Sequence, residues 1–129
     1  ILDGVPQSFP ALLYAQKISK KAAKTGFDWP DAVGPKEKVL EELDEIDAAQ
    51  TPAEIESEVG DLLFAAVNLA RKHGVDAESA LRQTSARFEQ RFRHIEDSYA
   101  ARGIDLSTTP QPLDDLDAAW DQAKLALHS

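Results

Sequence analysis

The sequence predicts an all-α protein: a bundle of four main helices followed by a short C-terminal helix. Three observations carry that expectation. Apolar residues recur at helical spacing in five segments, and no segment alternates at the two-residue period of a strand. Six of the seven prolines and five of the six glycines fall where those segments end, and residues 53–109 contain no proline. A length of 129 residues fits one domain able to bury a core without disulfides or a structural metal.

Residues 1–8 read as an extended lead-in, and residues 9–127 as the domain proper. The first helix starts near Ser8–Pro10, with Pro10 suited to a first turn, and stops at Gly26. Trp29 precedes Pro30, which biases it away from helix, so Phe27-Asp28-Trp29-Pro30 is a loop. A second helix runs from about Pro35 to Gln50, with Val39, Leu40, Leu43 and Ile46 on one stripe. Thr51-Pro52-Ala53-Glu54 is a capping box. It opens a third helix that carries Ile55, Val59, Leu62, Ala66 and Ala70 to about His73, before Gly74. Asp76 caps a long fourth helix with the stripe Leu81, Thr84, Phe88, Phe92, Ile95 and Tyr99, ending at Gly103. A polar linker, residues 107–112, leads to the last helix with Leu113, Leu116, Trp120 and Ala123. Gly60, in mid-helix, costs about 1 kcal/mol relative to alanine, and close approach of a neighbouring helix is the expected reason.

Composition narrows function. The chain is 43% hydrophobic and 29% charged, which excludes wholesale disorder. It has no cysteine, so thiolate zinc sites and cysteine nucleophiles are excluded. No apolar run approaches the ~20 residues of a membrane span, and no signal-peptide pattern opens the sequence, so a cytoplasmic protein is expected. It begins with Ile rather than Met, which leaves both a full protein and a domain cut from a longer chain open. The net charge of −9 argues against a nucleic-acid duplex as partner. Residues 36–61 hold ten acids against two lysines, a net of −8, whereas residues 11–25 carry four lysines and no acid. Such segregation suggests a cation site; a solvated acidic face is the alternative.

On the third helix Glu54, Glu58, Asp61 and Asn68 fall within a fan about 80° wide, bordering the apolar stripe. On the second, Glu41, Glu42 and Glu45 cluster off the apolar edge with Lys38 in the same fan. Antiparallel helices joined by a tight capped turn set the two rows side by side. Like charges at these spacings destabilise a helix by a few tenths of a kcal/mol per pair, unless a cation lies between them. Hard oxygen donors without histidine or cysteine suit Mg²⁺ or Mn²⁺, and a di-iron centre is disfavoured because Glu-x-x-His spacing is absent.

Glu41-Glu42-Leu43-Asp44-Glu45, followed by Glu58-Val59-Gly60-Asp61, resembles the EExxE…ExxD signature of the MazG family of nucleoside triphosphate pyrophosphohydrolases. The likeness extends to Gly26-Phe27-Asp28-Trp29, Gly60–Ala65, Val67–Arg71 and Phe88–Phe92, and covers about residues 9–125. It implies the helical bundle of the all-α NTP pyrophosphohydrolase type, a homodimer, and Mg²⁺-dependent hydrolysis of ATP and other NTPs or dNTPs to nucleoside monophosphate and pyrophosphate. House-cleaning of nucleotide pools is the implied role. Family metal ligands map onto Glu42, Glu45, Glu58 and Asp61, and nucleotide contacts onto Lys38, Arg87, Arg91 and Trp120. The chain resembles the C-terminal, catalytic repeat of two-repeat members. It departs from the common pattern at Arg87, where lysine is frequent, and at Gln90, where arginine is frequent.

Read without the resemblance, Arg87, Arg91 and His94 share one flank of the fourth helix, and arginine's planar fork suits phosphate oxygens, although pairing with nearby acids accounts for them too. Trp120 lies on an apolar stripe and reads as core. Trp29 either stacks on a base or plugs a bundle end. Asn68 continues the carboxylate stripe and either touches the nucleotide or bonds inside the bundle. A carboxylate outside the metal's ligands, with Glu41 as the candidate, would accept the proton of the attacking water. The alternatives to an enzyme are a non-catalytic nucleotide or metal sensor and a plain helical interaction module.

Overall fold

The computed structural model describes residues 1–128. It has five helices, α1 (Ala11–Ala23), α2 (Val33–Ala48), α3 (Pro52–Lys72), α4 (Ala77–Ala100) and α5 (Leu113–Leu127), and no strand among the described residues. The all-α expectation is met, and the last helix, at 15 residues, is longer than the 13-residue α1. The chain divides into two compact units, Ile1–Ala80 and a second beginning at Leu81.

In the first unit, α2 and α1 both pack on α3. The lead-in is turned rather than extended: Val5 N–H donates to Leu2 C=O and Phe9 N–H to Pro6 C=O, and Val5 is buried. α1 follows Pro10 and ends before Gly26, whose φ of +100° suits only a residue without Cβ. α2 starts two residues before Pro35 because the Asp31 carboxylate accepts from Val33 N–H at 2.9 Å, ordering the turn into the helix. The capping box forms: Thr51 Oγ1 accepts from Glu54 N–H at 3.1 Å, and the Glu54 carboxylate reaches back to Gln50 N–H at 2.9 Å. Asp76 Oδ1 likewise accepts from Ser79 N–H at 3.1 Å, at the start of α4. In the second unit Ile95 and Tyr99 of α4 bury against Ala123 of α5, with Leu116, Trp120 and Ile104 around them.

Two expectations about faces do not hold. The apolar stripes are only partly internal: Leu40, Leu43, Ile55, Val59, Leu81, Phe88 and Phe92 are all exposed on the single chain. The inward face of α3 is Ala65, Val67 and Asn68, while on α2 the buried residues are Pro35 and Glu42. Nor does a neighbouring helix press on Gly60, since, its chain neighbours and own helical backbone aside, no described atom lies within 4 Å of where its Cβ would stand.

Candidate active site

The tight Ala49–Thr51 connection returns α3 alongside α2, so the two acidic rows meet. Two triads result. Carboxylate oxygens of Glu41, Glu42 and Glu45 lie within 4.8 Å of one another, and so do those of Glu42, Glu58 and Asp61. Glu42 belongs to both. It sits on the buried face of α2, not off its apolar edge, and is only 2% exposed. Its fourth-residue neighbour Lys38 explains how a carboxylate is tolerated there: Nζ lies 3.1 Å from Glu42 Oε1 and 3.3 Å from Glu41 Oε1. Glu54, which shares the helical fan, is drawn off to the cap instead.

Lys38 settles only half of Glu42. The second oxygen, Oε2, is buried without a hydrogen-bond partner, as is Glu58 Oε2. The electrostatics follow. The Lys38 ammonium holds the Glu42 carboxyl below the usual carboxylate range, whereas Glu45 and then Glu42, both facing Glu58, push its carboxyl up to about 7. Glu42 and then Glu41 raise the Lys38 ammonium in turn. A buried carboxylate oxygen with no donor is expensive unless a proton or a cation meets it. Glu58 therefore holds a proton close to neutral pH when no cation is present. The donors are hard oxygens, so the set fits Mg²⁺ or Mn²⁺.

Glu42, Asp61 and Lys38 also edge a cavity of about 320 Å³ whose remaining walls include Trp29, Phe64 and Asn68. Asn68 is buried: its Nδ2 donates to Phe64 C=O at 3.1 Å and its Oδ1 accepts from Arg71 at 3.1 and 3.3 Å. In the second unit the Arg91 guanidinium lies 5.1 Å over the Trp120 ring, Phe88 packs 5.4 Å from the same ring, and Arg87 donates to Thr84 Oγ1 at 3.1 Å. The pattern reading of Trp120 as part of a core is thus met by its packing on Ile95 and Tyr99.

Residues 36–96, from just before Lys38 to the last turns of α4, match the MazG nucleotide pyrophosphohydrolase domain. The chain carries a MazG domain over these residues. It is 45% identical over 128 residues to the nucleoside triphosphate pyrophosphohydrolase of Escherichia coli K12, covering 95% of this chain and 48% of that protein. It is 44% identical over 115 residues to the nucleoside triphosphate pyrophosphohydrolase/pyrophosphatase MazG of Thermotoga maritima, covering 89% and 44%. To the uncharacterized protein YabN of Bacillus subtilis it is 42% identical over 128 residues, covering 96% of this chain and 26% of YabN. The chain thus spans about half the length of the first two relatives.

Sequence reasoning did not find the ion pairs at the other end of α3. Arg71 and Lys72 reach the Asp28 carboxylate 43 and 44 residues away. The available signal was an acid beside a Trp-Pro loop and two cations in a helix's last turn, a pattern that leaves the pairing open.

Proposed function

We propose that this chain hydrolyses nucleoside triphosphates to nucleoside monophosphate and pyrophosphate, with residues 9–127 acting as one catalytic domain of the C-terminal MazG type. The observation that carries this is the Glu42–Glu58–Asp61 triad with its two buried, partnerless carboxylate oxygens. Charges so crowded destabilise a fold and persist where a cation is to be held. Glu42, Glu45, Glu58 and Asp61 would hold Mg²⁺, with Mn²⁺ as a substitute. When bound, the ion supplies positive charge against the triphosphate and acidifies water.

The chain's own residues would do the rest. Lys38, already spanning Glu41 and Glu42, offers its remaining donor to a phosphate oxygen. Arg87 and Arg91 grip phosphates through planar forks, and Asn68 and Trp120 complete the nucleotide contacts. Glu41 is exposed beside Glu42 and accepts the proton of the attacking water. Leu40, Leu43, Ile55 and Val59 are exposed on α2 and α3, which supports a homodimer covering them. Cytoplasmic nucleotide-pool house-cleaning belongs to the same proposal, as does the absence of a nucleic-acid partner. No helix among the described residues is long and apolar enough to cross a membrane.

Incubation with ATP and Mg²⁺ should release AMP and pyrophosphate in equal amounts. ADP with inorganic phosphate would mean that a different bond is cut, and binding without products would leave a sensor.

A further inference from the structure

We infer that Asp28 is a positioning residue: it ties the loop after α1 to the last turn of α3, and so fixes the Trp29 indole as the wall against which the substrate's heterocyclic base packs. This rests on the nucleotide reading above and names what sets the base end of that site.

The loop has little of its own to hold it. Asp28 Oδ1 accepts from Trp29 N–H at 2.9 Å, and Pro30 follows directly. Order comes from α3. Arg71 forms a two-pronged pair with Asp28, Nη1 to Oδ2 at 3.0 Å and Nη2 to Oδ1 at 2.6 Å. Lys72 Nζ donates to Asp28 Oδ2 at 3.0 Å and to the Trp29 carbonyl at 2.7 Å. Arg71 is itself braced by Asn68 Oδ1. The three charged side chains cover one another, with side-chain exposures of 13, 17 and 19%.

Trp29 is fixed from the opposite side as well. A Cβ on Gly34, in the first turn of α2, would stand 2.8 Å from the indole Nε1 and 2.9 Å from Cγ, so only glycine leaves the ring its place. Held there, the ring and Phe64 face the cavity whose other residues include Lys38, Glu42 and Asp61. An aromatic wall next to a charged floor suits a ligand with a flat π-face at one end and phosphates at the other. Trp29 and Phe64 also border a second cavity, of about 190 Å³, lined by Leu2, Ile18, Ala22 and Phe27. A loop released from Arg71 and Lys72 has apolar space into which the indole can swing, which is why the clamp matters.

The test is calorimetric binding of two non-hydrolysable probes in Mg²⁺, α,β-methylene ATP and the same triphosphate on ribose without a base. The wild-type chain should bind the base-bearing probe about tenfold or more tightly than the base-free one. Trp29→Ala, Asp28→Asn and Gly34→Ala should erase that preference while base-free affinity stays within about twofold, and Trp29→Phe should keep most of it. Acrylamide should quench the emission of Trp29, taken as the difference from the Trp29→Phe chain, less readily in Asp28→Asn, where the indole swings into the apolar cavity. Equal weakening of both probes, or an unchanged preference in all three variants, overturns the inference. A chain that prefers the base-bearing probe but releases no pyrophosphate from ATP sinks the hydrolase reading and leaves this one standing.

Discussion

Two ends of one helix treat carboxylates in opposite ways. At the C-terminal end of α3, Asp28 receives both prongs of Arg71 and the Lys72 ammonium, and its carboxyl is held far below the usual carboxylate range, chiefly by Arg71. Near the N-terminal end, Glu58 faces Glu45 and Glu42 and is pushed up to about 7. Asp28 is complete within the chain. The Glu42–Glu58 pair is complete only with a proton or a cation. The same residue chemistry thus yields a fixture in one place and a receptor in the other, and what separates them is whether the chain supplies the counter-charge.

The largest expected effects fall at the incomplete end. Glu45→Gln should cut turnover of ATP by more than about tenfold at limiting Mg²⁺, and excess Mg²⁺ or Mn²⁺ should restore part of the rate. Arg91→Ala should lose a charge-assisted phosphate contact of about 1.5–3 kcal/mol, or roughly 10- to 150-fold in kcat/KM, with no rescue by metal. Normal turnover by Glu45→Gln at limiting Mg²⁺ would return the acidic rows to a solvated face.

Next comes the pH dependence of stability without metal. The value for Glu58 lies above the ordinary 4.5 of an unfolded glutamate, so its protonated form favours the fold. That contribution is full below pH 4.5 and is lost as pH rises through about 7. Asp28 runs the other way: its charged form favours the fold, a contribution present above pH 3.8 and lost as the solution is acidified. Added Mg²⁺ should raise Tm by roughly 5 °C or more at saturation, and by more at pH 8 than at pH 6, where it must displace the Glu58 proton. Equal shifts at both pH values would mean that the ion binds elsewhere.

Asp28→Asn should cost about 1.5–3 kcal/mol of stability, the worth of charge-assisted hydrogen bonds, while the Mg²⁺-induced rise in Tm stays as it was. Loss of the Mg²⁺ response in this variant would join the two ends of α3 into one unit and end the contrast.

What could be read from the sequence divides by range. Caps act over three or four residues, so Thr51 and Asp76 were legible, and so was the meeting of Glu42, Glu45, Glu58 and Asp61, because a three-residue connection leaves two helices little choice but to lie together. The face each helix turns inward was not. Leu43 and Val59 satisfy an amphipathic pattern as well as Val67 does, yet only Val67 is buried within the chain. Glu42 reads as a border residue because Lys38, four residues away, marks a partner for it but not that the carboxylate is buried beneath a half-exposed ammonium. The Asp28–Arg71 pair spans 43 residues, beyond any local signal.

The smallest expected effect bears on the partner. Gly60 lies between the two ends of α3, and no described atom beyond its chain neighbours and own helical backbone stands within 4 Å of its absent Cβ. Alanine there should therefore stabilise the chain by about 0.5–1 kcal/mol, through the backbone freedom it removes from the unfolded state and its better helix propensity. A gain of a few degrees in Tm, independent of protein concentration, would show that this side of α3 faces water. A loss that grows as the protein is diluted would instead place a second copy against Gly60. The neighbouring Val59, exposed on the single chain, would then be buried between copies, and the glycine would owe its place to that contact.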